Sequence, residues 1–407
     1  MSIKTNIVII LFFMAFSAPV YSTETLHVSA CKDSLIKKKE TVVDCVQPCP
    51  CNKDSLMDYY SAGLMKNTSG DFVQAIACFN KALELDSTSA SIYLNKAFAE
   101  KQLMNYKSAL SDYQRAIKLN PSWEESYEAY YNMGLTQALL SDMRGAMSNF
   151  NRAIQLNSGF ADAFYNRSIL KGMAGDYDGE LADITKAISL NPKDSKSYNS
   201  RGIVKSVIGD VVGAISDYTQ AILLDAKDAS FYFNRAMVYY DMKEYVSAMH
   251  DFNMAIQIKP DAETYNRRGN VKCRLNDYKG ALADYNSAIK MDPDYYVAFV
   301  NRGCLKCDMK EYKSAIEDYN KAIQLKSDYS LAYLKRGIAK GKMADHAGEI
   351  ADYTNAIRFK PDNDDAYNQR GLAKYQIGDK SGGCLDLDNA VKLGSEVAYN
   401  NLIQYCK

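Results

Sequence analysis

One alanine returns down most of this chain on a fixed beat. Ala82, Ala116, Ala153, Ala187, Ala221, Ala255, Ala288, Ala322, Ala356 and Ala390 stand 34 residues apart, save for 37 between Ala116 and Ala153 and 33 between Ala255 and Ala288. Such a period marks tandem supersecondary units, because one unit of this size exposes too much apolar surface to fold alone and must stack on its neighbours. Ten copies fit between Leu56 and Val397. The repeat fixes how a surface is presented and leaves open what that surface holds.

Each copy carries two amphipathic stretches joined by a turn such as Gly175-Asp176-Tyr177 or Asn276-Asp277-Tyr278, and prolines (Pro121, Pro192, Pro260, Pro293, Pro361) fall between copies, where they stop a helix without entering it. The first helix holds a small residue in every copy: Gly63, Ala97, Gly134, Ser168, Gly202, Ala236, Gly269, Gly303, Gly337 and Gly371. Four residues before it is an aromatic ring, from Tyr59 through Tyr367, which suits packing better than ligand stacking. Three residues before the closing alanine lies a second large apolar side chain, such as Phe79, Tyr113, Phe150 or Tyr319, with Ile184 and Leu387 in two copies. These columns predict an all-α solenoid.

A charged pattern runs beside the apolar one. Directly before the small residue is a base in eight copies (Lys96, Arg167, Arg201, Arg235, Arg268, Arg302, Arg336, Arg370), and fifteen residues after it those same copies carry an acid (Asp112, Asp183, Asp217, Asp251, Asp284, Asp318, Asp352, Asp386). Copies one and three lack both, having Ala62 with Cys78 and Met133 with Asn149. Joint presence and joint absence predict ion pairs between the two helices, which makes these charges poor candidates for an anion site.

Taken together, these columns resemble the tetratricopeptide repeat family over about 340 of 407 residues. The resemblance implies a right-handed superhelix of slightly more than one turn with first helices lining a concave face. Three extra residues around Trp123 to Glu128 lengthen the step into copy three, and a local change of curvature is expected there. Two residues before the small residue stand Asn95, Asn132, Asn166, Asn234 and Asn301, with Ser200, Arg267, Lys335 and Gln369 elsewhere. In related scaffolds an asparagine ladder at this place grips the backbone of an extended peptide, since an amide donates and accepts at once. Asparagine is equally at home there without a ligand. The family's clamp for the terminal carboxylate of cytosolic heat-shock chaperones needs a lysine three before and an asparagine one after the small residue. Leu94 with Phe98 and Tyr165 with Ile169 do not supply it, and copy seven has Asn270 after the small residue but Asn266 in place of the lysine.

Residues 1–22 have the layout of an export signal: Lys4, an apolar run from Ile7 to Val20 too short for a bilayer, then Ser22. A lipoprotein reading rests on Val28-Ser29-Ala30-Cys31, which would attach the chain to a membrane only through lipidation of Cys31. Residues 23–55 form an extension holding Cys31, Cys45, Cys49 and Cys51, expected as disulfides that staple a cap. Thiol activity at Cys49-Pro50-Cys51 is the rival reading, without a thioredoxin-like pattern around it. A last helix from about Glu396 to Cys406 is expected to cover copy ten, so that 398–407 is the end of a cap; Cys384 and Cys406 lie equally far from Ser395 and are expected to pair.

The 49 basic and 49 acidic residues cancel and are interspersed, giving no field for nucleic acid. No phosphate loop or nucleophile elbow is present, the three histidines are scattered, and no catalytic residue, cofactor or metal site is expected. Cys304-x-x-Cys307 with Cys273 one copy earlier is read as chance at small-residue positions, and Asn67 and Asn166 match the glycosylation sequon. The expectation is an extracytoplasmic, periplasmic or secreted, non-enzymatic scaffold for protein or peptide partners, with a thiol-active protein or a structural spacer as alternatives.

Overall fold

The computed structural model describes residues 55–120 and 126–406, so the expected export signal and cysteine-bearing extension, with Cys31, Cys45, Cys49 and Cys51, and most of the lengthened step into copy three lie outside the described residues. Among the described residues are 21 helices and no strand. They run as ten pairs, such as Ala161–Met173 with Tyr177–Leu190 in copy four and Ser330–Lys342 with His346–Phe359 in copy nine, followed by Glu396–Cys406. Contacts divide the chain into two compact units, Met1–Asp217 and Tyr218–Lys407.

The turn inside each copy follows from local chemistry. The residue seven after the small one has a left-handed backbone in all ten copies, filled by Gly70, Gly175, Gly209 and Gly378 where glycine is present, and by Met104, Ser141, Lys243, Asn276, Lys310 or Ala344 elsewhere. That reversal ends the first helix. The next residue caps the second helix: Asp176 accepts from the Gly179 backbone N–H at 2.9 Å, and Asp277 and Asp345 do the same for Gly280 and Gly348. Thus the Gly-Asp-Tyr signature is a helix stop, a cap and a first helical residue.

Close approach of the two helices is set by the small residue. A Cβ on Gly303 would lie 2.7 Å from the Tyr319 ring, and one on Gly337 2.5 Å from that of Tyr353. Tyr319, Phe79, Phe150 and Phe252 are buried beneath it, and the closing alanines are buried with them. In copies two and six, where Ala97 and Ala236 replace glycine, the site is still fully buried, so the ring accommodates one methyl by a small shift.

The expected ion pairs between helices are present. Arg167 Nε and Nη2 donate to the two oxygens of Asp183, each at 2.7 Å, and Arg201, Arg235, Arg268, Arg302, Arg336 and Arg370 repeat the fork. Two further partners escape sequence reasoning. A lysine three after the small residue closes on the same carboxylate, as Lys171 does on Asp183 at 2.8 Å, and the free Nη1 of the arginine reaches the preceding copy, as from Arg336 to Asn320 Oδ1 at 2.6 Å. Each guanidinium also lies over an aromatic ring, 5.4 Å from Tyr333 for Arg336. Burial opposes ionisation of Asp183, but hydrogen bonds from Arg167 and Lys171 outweigh it and hold the carboxyl below its ordinary range.

The three weaker copies show why the pattern matters. In copy two Lys96 Nζ stands 3.1 Å from Asp112 without hydrogen-bond alignment, and burial keeps that carboxyl above its ordinary range. In copy three the charges give way to an amide pair, Asn149 to Gln137. In copy one the acid's place belongs to Cys78, which is fully buried and disulfide-bonded.

The last helix takes the register of a first helix. Asn401 Nδ2 donates to Asn368 Oδ1 at 2.8 Å, as Asn301 does to Asn266, and Cys384 and Cys406 are joined by a disulfide with Cα atoms 5.7 Å apart.

Candidate functional site

Within each unit the first helices sit on the tighter side. Copies one, two and three touch through their first helices, as do copies seven, eight, nine and ten, whereas neighbouring second helices make no comparable approach. Between copies one and two and between copies two and three, the residue four after the small one faces the residue two before it in the next copy. Asn67 Nδ2 donates to the Asn95 carbonyl at 3.0 Å, and Lys101 Nζ to Asn132 Oδ1 at 2.8 Å.

The asparagines of the expected ladder lie on this face, but their amide groups are engaged within the chain. Asn95 donates to the Ser91 carbonyl and the Tyr60 hydroxyl, and Asn166, buried, donates to the Asp162 carbonyl and the Tyr131 hydroxyl. Asn132 donates to the Glu128 carbonyl and accepts from Lys101. Asn301 donates to Asn266 Oδ1, and Asn234 is engaged as well. The structure therefore uses their N–H groups to tie one first helix to the copy before it and to lock the local turn. The folded chain also offers no free Asn166 amide at that sequon.

Chemistry that varies lies elsewhere, four residues after the small one. The ten copies place Asn67, Lys101, Ala138, Gly172, Ser206, Tyr240, Cys273, Cys307, Gly341 and Tyr375 there. Every other column described above keeps one chemical character through most of the chain. Lys101 is the sharpest case: it has no acidic partner among the described residues, rests 5.3 Å over the Phe98 ring, and burial pulls its ammonium down to about 8. Perturbed charges of this kind cluster at functional sites.

Cys273 and Cys307 share the column, with Cys304 beside them. The Tyr319 hydroxyl lies 3.5 Å from both Cys304 and Cys307, and that of Tyr285 lies 3.4 Å from Cys273. All three are free, and burial pushes each thiol above its ordinary range, opposite to what an attacking thiolate needs. Among the described residues no three metal-binding side chains converge, and no helix is long and apolar enough to cross a membrane.

Comparison with known proteins agrees with the columns. Family models described as "Tetratricopeptide repeat" match residues 59–89, 90–122, 127–160, 229–261 and 262–295, and one described as "TPR repeat" matches 303–343. The chain belongs to the tetratricopeptide repeat family. It is 30% identical over 76 residues to "Protein STIP1 homolog" of Dictyostelium discoideum, covering 19% of this chain and 14% of that protein. Over 63 residues it is 38% identical to "Tetratricopeptide repeat protein 36 homolog" of Nematostella vectensis, covering 16% and 35%. A tetratricopeptide repeat protein from Parabacteroides merdae ATCC 43184 superposes on 61% of this chain and 99% of its own with a TM-score of 0.51 at 20% identity, a likeness of fold. The matches to the two named relatives span only a minor part of either, so what those proteins do as wholes does not transfer.

Proposed function

We propose that this chain is a non-enzymatic scaffold holding a protein or peptide partner along its first-helix face, in an extracytoplasmic complex that it reaches through the signal at residues 1–22. The observation that carries the reading is the contrast between columns. Repetition supplies ten trials of the same packing problem, and packing holds the small residue, the aromatic, the acid and the alanine nearly constant. One position on the face where first helices meet is released from that constraint, and it carries amide, ammonium, phenol, thiol and nothing at all. Within each unit, varied side chains on a repeated frame are what a surface needs to read an extended partner step by step.

Lys101 and Tyr240 are the contacts most favoured, since one is a half-buried cation without an acid and the other a large amphipathic ring. The asparagines contribute by fixing the spacing between first helices, and Asn95, Asn132, Asn166, Asn234 and Asn301 become supports of the face. Affinity capture from the extracytoplasmic fraction with wild-type chain and with a Lys101→Ala/Tyr240→Ala variant tests this. A partner held by wild type and weakened roughly tenfold or more by the folded variant agrees with the reading. Equal capture by both removes the face from consideration.

A further inference from the structure

The second helix normally carries a small residue at its fourth position, twelve after the first helix's small one: Ala75, Ala109, Ala146, Ala214, Ala248, Ala281, Ala315 and Gly383. Copies four and nine break this rule with Glu180 and Glu349. They are also the two copies with glycine in the variable column, Gly172 and Gly341. The two departures compensate each other in space. A Cβ on Gly172 would lie 2.2 Å from Glu180 Oε2, and one on Gly341 1.8 Å from Glu349 Oε2. In both copies a carboxylate from the second helix passes through the gap left by glycine and fills the place that a first-helix side chain has elsewhere.

Volume exchange alone would be met by any apolar pair, and a carboxylate is a costly choice for a half-buried position unless it is paired. Copy nine pairs it internally: His346, the first residue of the second helix, brings Nδ1 to 2.9 Å from Glu349 Oε1. Copy four has Tyr177 where copy nine has His346, and no described group donates a hydrogen bond to the Glu180 carboxylate. The nearest lysine on its helix pair, Lys171, is committed to Asp183 and the Gly179 carbonyl. Burial, and then the Asp176 carboxylate, push Glu180 up to about 7. Around it on the first-helix face stand the hydroxyls of Tyr165 and Ser200, 3.0 Å apart.

We infer that Glu180, exposed through the Gly172 gap, is a specificity-determining residue that takes a lysine or arginine side chain of the chain bound on the first-helix face. With the carboxylate rather than a first-helix side chain filling the gap, a long basic side chain on that face can meet it end-on, and its ammonium or guanidinium donates where His346 stands in copy nine. The inference rests on the first-helix face being the partner site.

The test uses the signal-processed full chain and an immobilised array of random 15-residue peptides, acetylated and amidated, each also synthesised with every Lys and Arg exchanged for Gln. Wild type should favour the basic member of a pair by about tenfold, the range of a charged hydrogen bond. Glu180→Gln should remove that preference and keep binding to the neutral members. Tyr177→His, which copies the internal partner of copy nine, should remove it too without altering the carboxylate. Binding that ignores the exchange in wild type, or a preference unchanged in Glu180→Gln, overturns the inference and leaves the face as a site. If no peptide binds the folded wild-type chain, the reading of the face fails, and the inference with it.

Discussion

Copy nine lets the strength of the interhelical charge network be worked out against an alternative the chain itself contains. Asp352 is 2% exposed and takes hydrogen bonds from Arg336 at 2.6 and 2.9 Å, with Lys340 at 2.8 Å. Replacing Arg336 by Met removes the bidentate fork and the stacking on Tyr333, but Lys340 remains. Breaking a buried pair outright costs about 3–5 kcal/mol, so with one cation left the cost should be about 2–3 kcal/mol. Copy three holds the neutral solution: Met133, Gln137 and Asn149 stand at the three corresponding positions, with the two amides joined. The triple variant Arg336→Met, Lys340→Gln, Asp352→Asn should therefore cost about 1 kcal/mol or less, since a buried ion pair exchanged for a well-packed neutral set is often near neutral. Because the chain holds two units, a single melting curve does not report one equilibrium, and opening of 330–359 by hydrogen exchange is the suitable assay. A triple variant as unstable as the single one would refute the reasoning, because it would mean that packing of the long side chains, and not an orphaned charge, sets the cost.

The Tyr113 hydroxyl is buried without a partner, so Tyr113→Phe should leave the opening of Tyr106–Leu119, read by hydrogen exchange, unchanged or make it harder by about 1 kcal/mol; a clear loss would mean that a bound water satisfies the hydroxyl. Cysteine pairing is checked by mass mapping without reductant: Cys384 and Cys406 should appear bonded, and Cys384→Ser should cost about 3 kcal/mol in the opening of the last helix, from the 22-residue separation. Glu180 titrates higher in the folded chain than its ordinary value, so the folded state holds its proton where the unfolded state has lost it. Its ionisation therefore lowers stability as pH rises from about 4.5 to about 7, and Glu180→Gln should flatten the pH dependence of the opening of Tyr177–Leu190, read by hydrogen exchange, over that window. A slope that is the same in both proteins contradicts this.

Much of the fold was legible because it is written ten times. Periodicity at 34 residues implies helix pairs, and the co-occurrence of base and acid implies an ion pair, since two columns that vanish together in copies one and three must meet. The lysine that joins Arg167 on Asp183 was less visible, because a lysine on a helix surface has many solvated explanations and only the carboxylate's position selects one. The asparagine ladder was read for its ability to bind a peptide, yet an amide's versatility serves the protein's own carbonyls and hydroxyls as well, and composition cannot say which. Gly172 with Glu180 did leave a signal: the two copies with glutamate where alanine belongs are the two with glycine eight residues earlier. That signal becomes a site only when the structure shows that one residue fills the other's gap.

The most direct test of the account is to ask which face of the repeats touches the partner. A photoreactive amino acid placed at Ser206 or Tyr375 in the variable column, and as a control at the exposed second-helix positions Leu223 or Val246, can be activated in the intact cells that make the protein and the adducts read by mass spectrometry. The account predicts a discrete adduct with one protein from the first-helix positions and none from the second-helix ones. Adducts that form only from Leu223 or Val246 would contradict it and place the partner on the opposite side of the repeats.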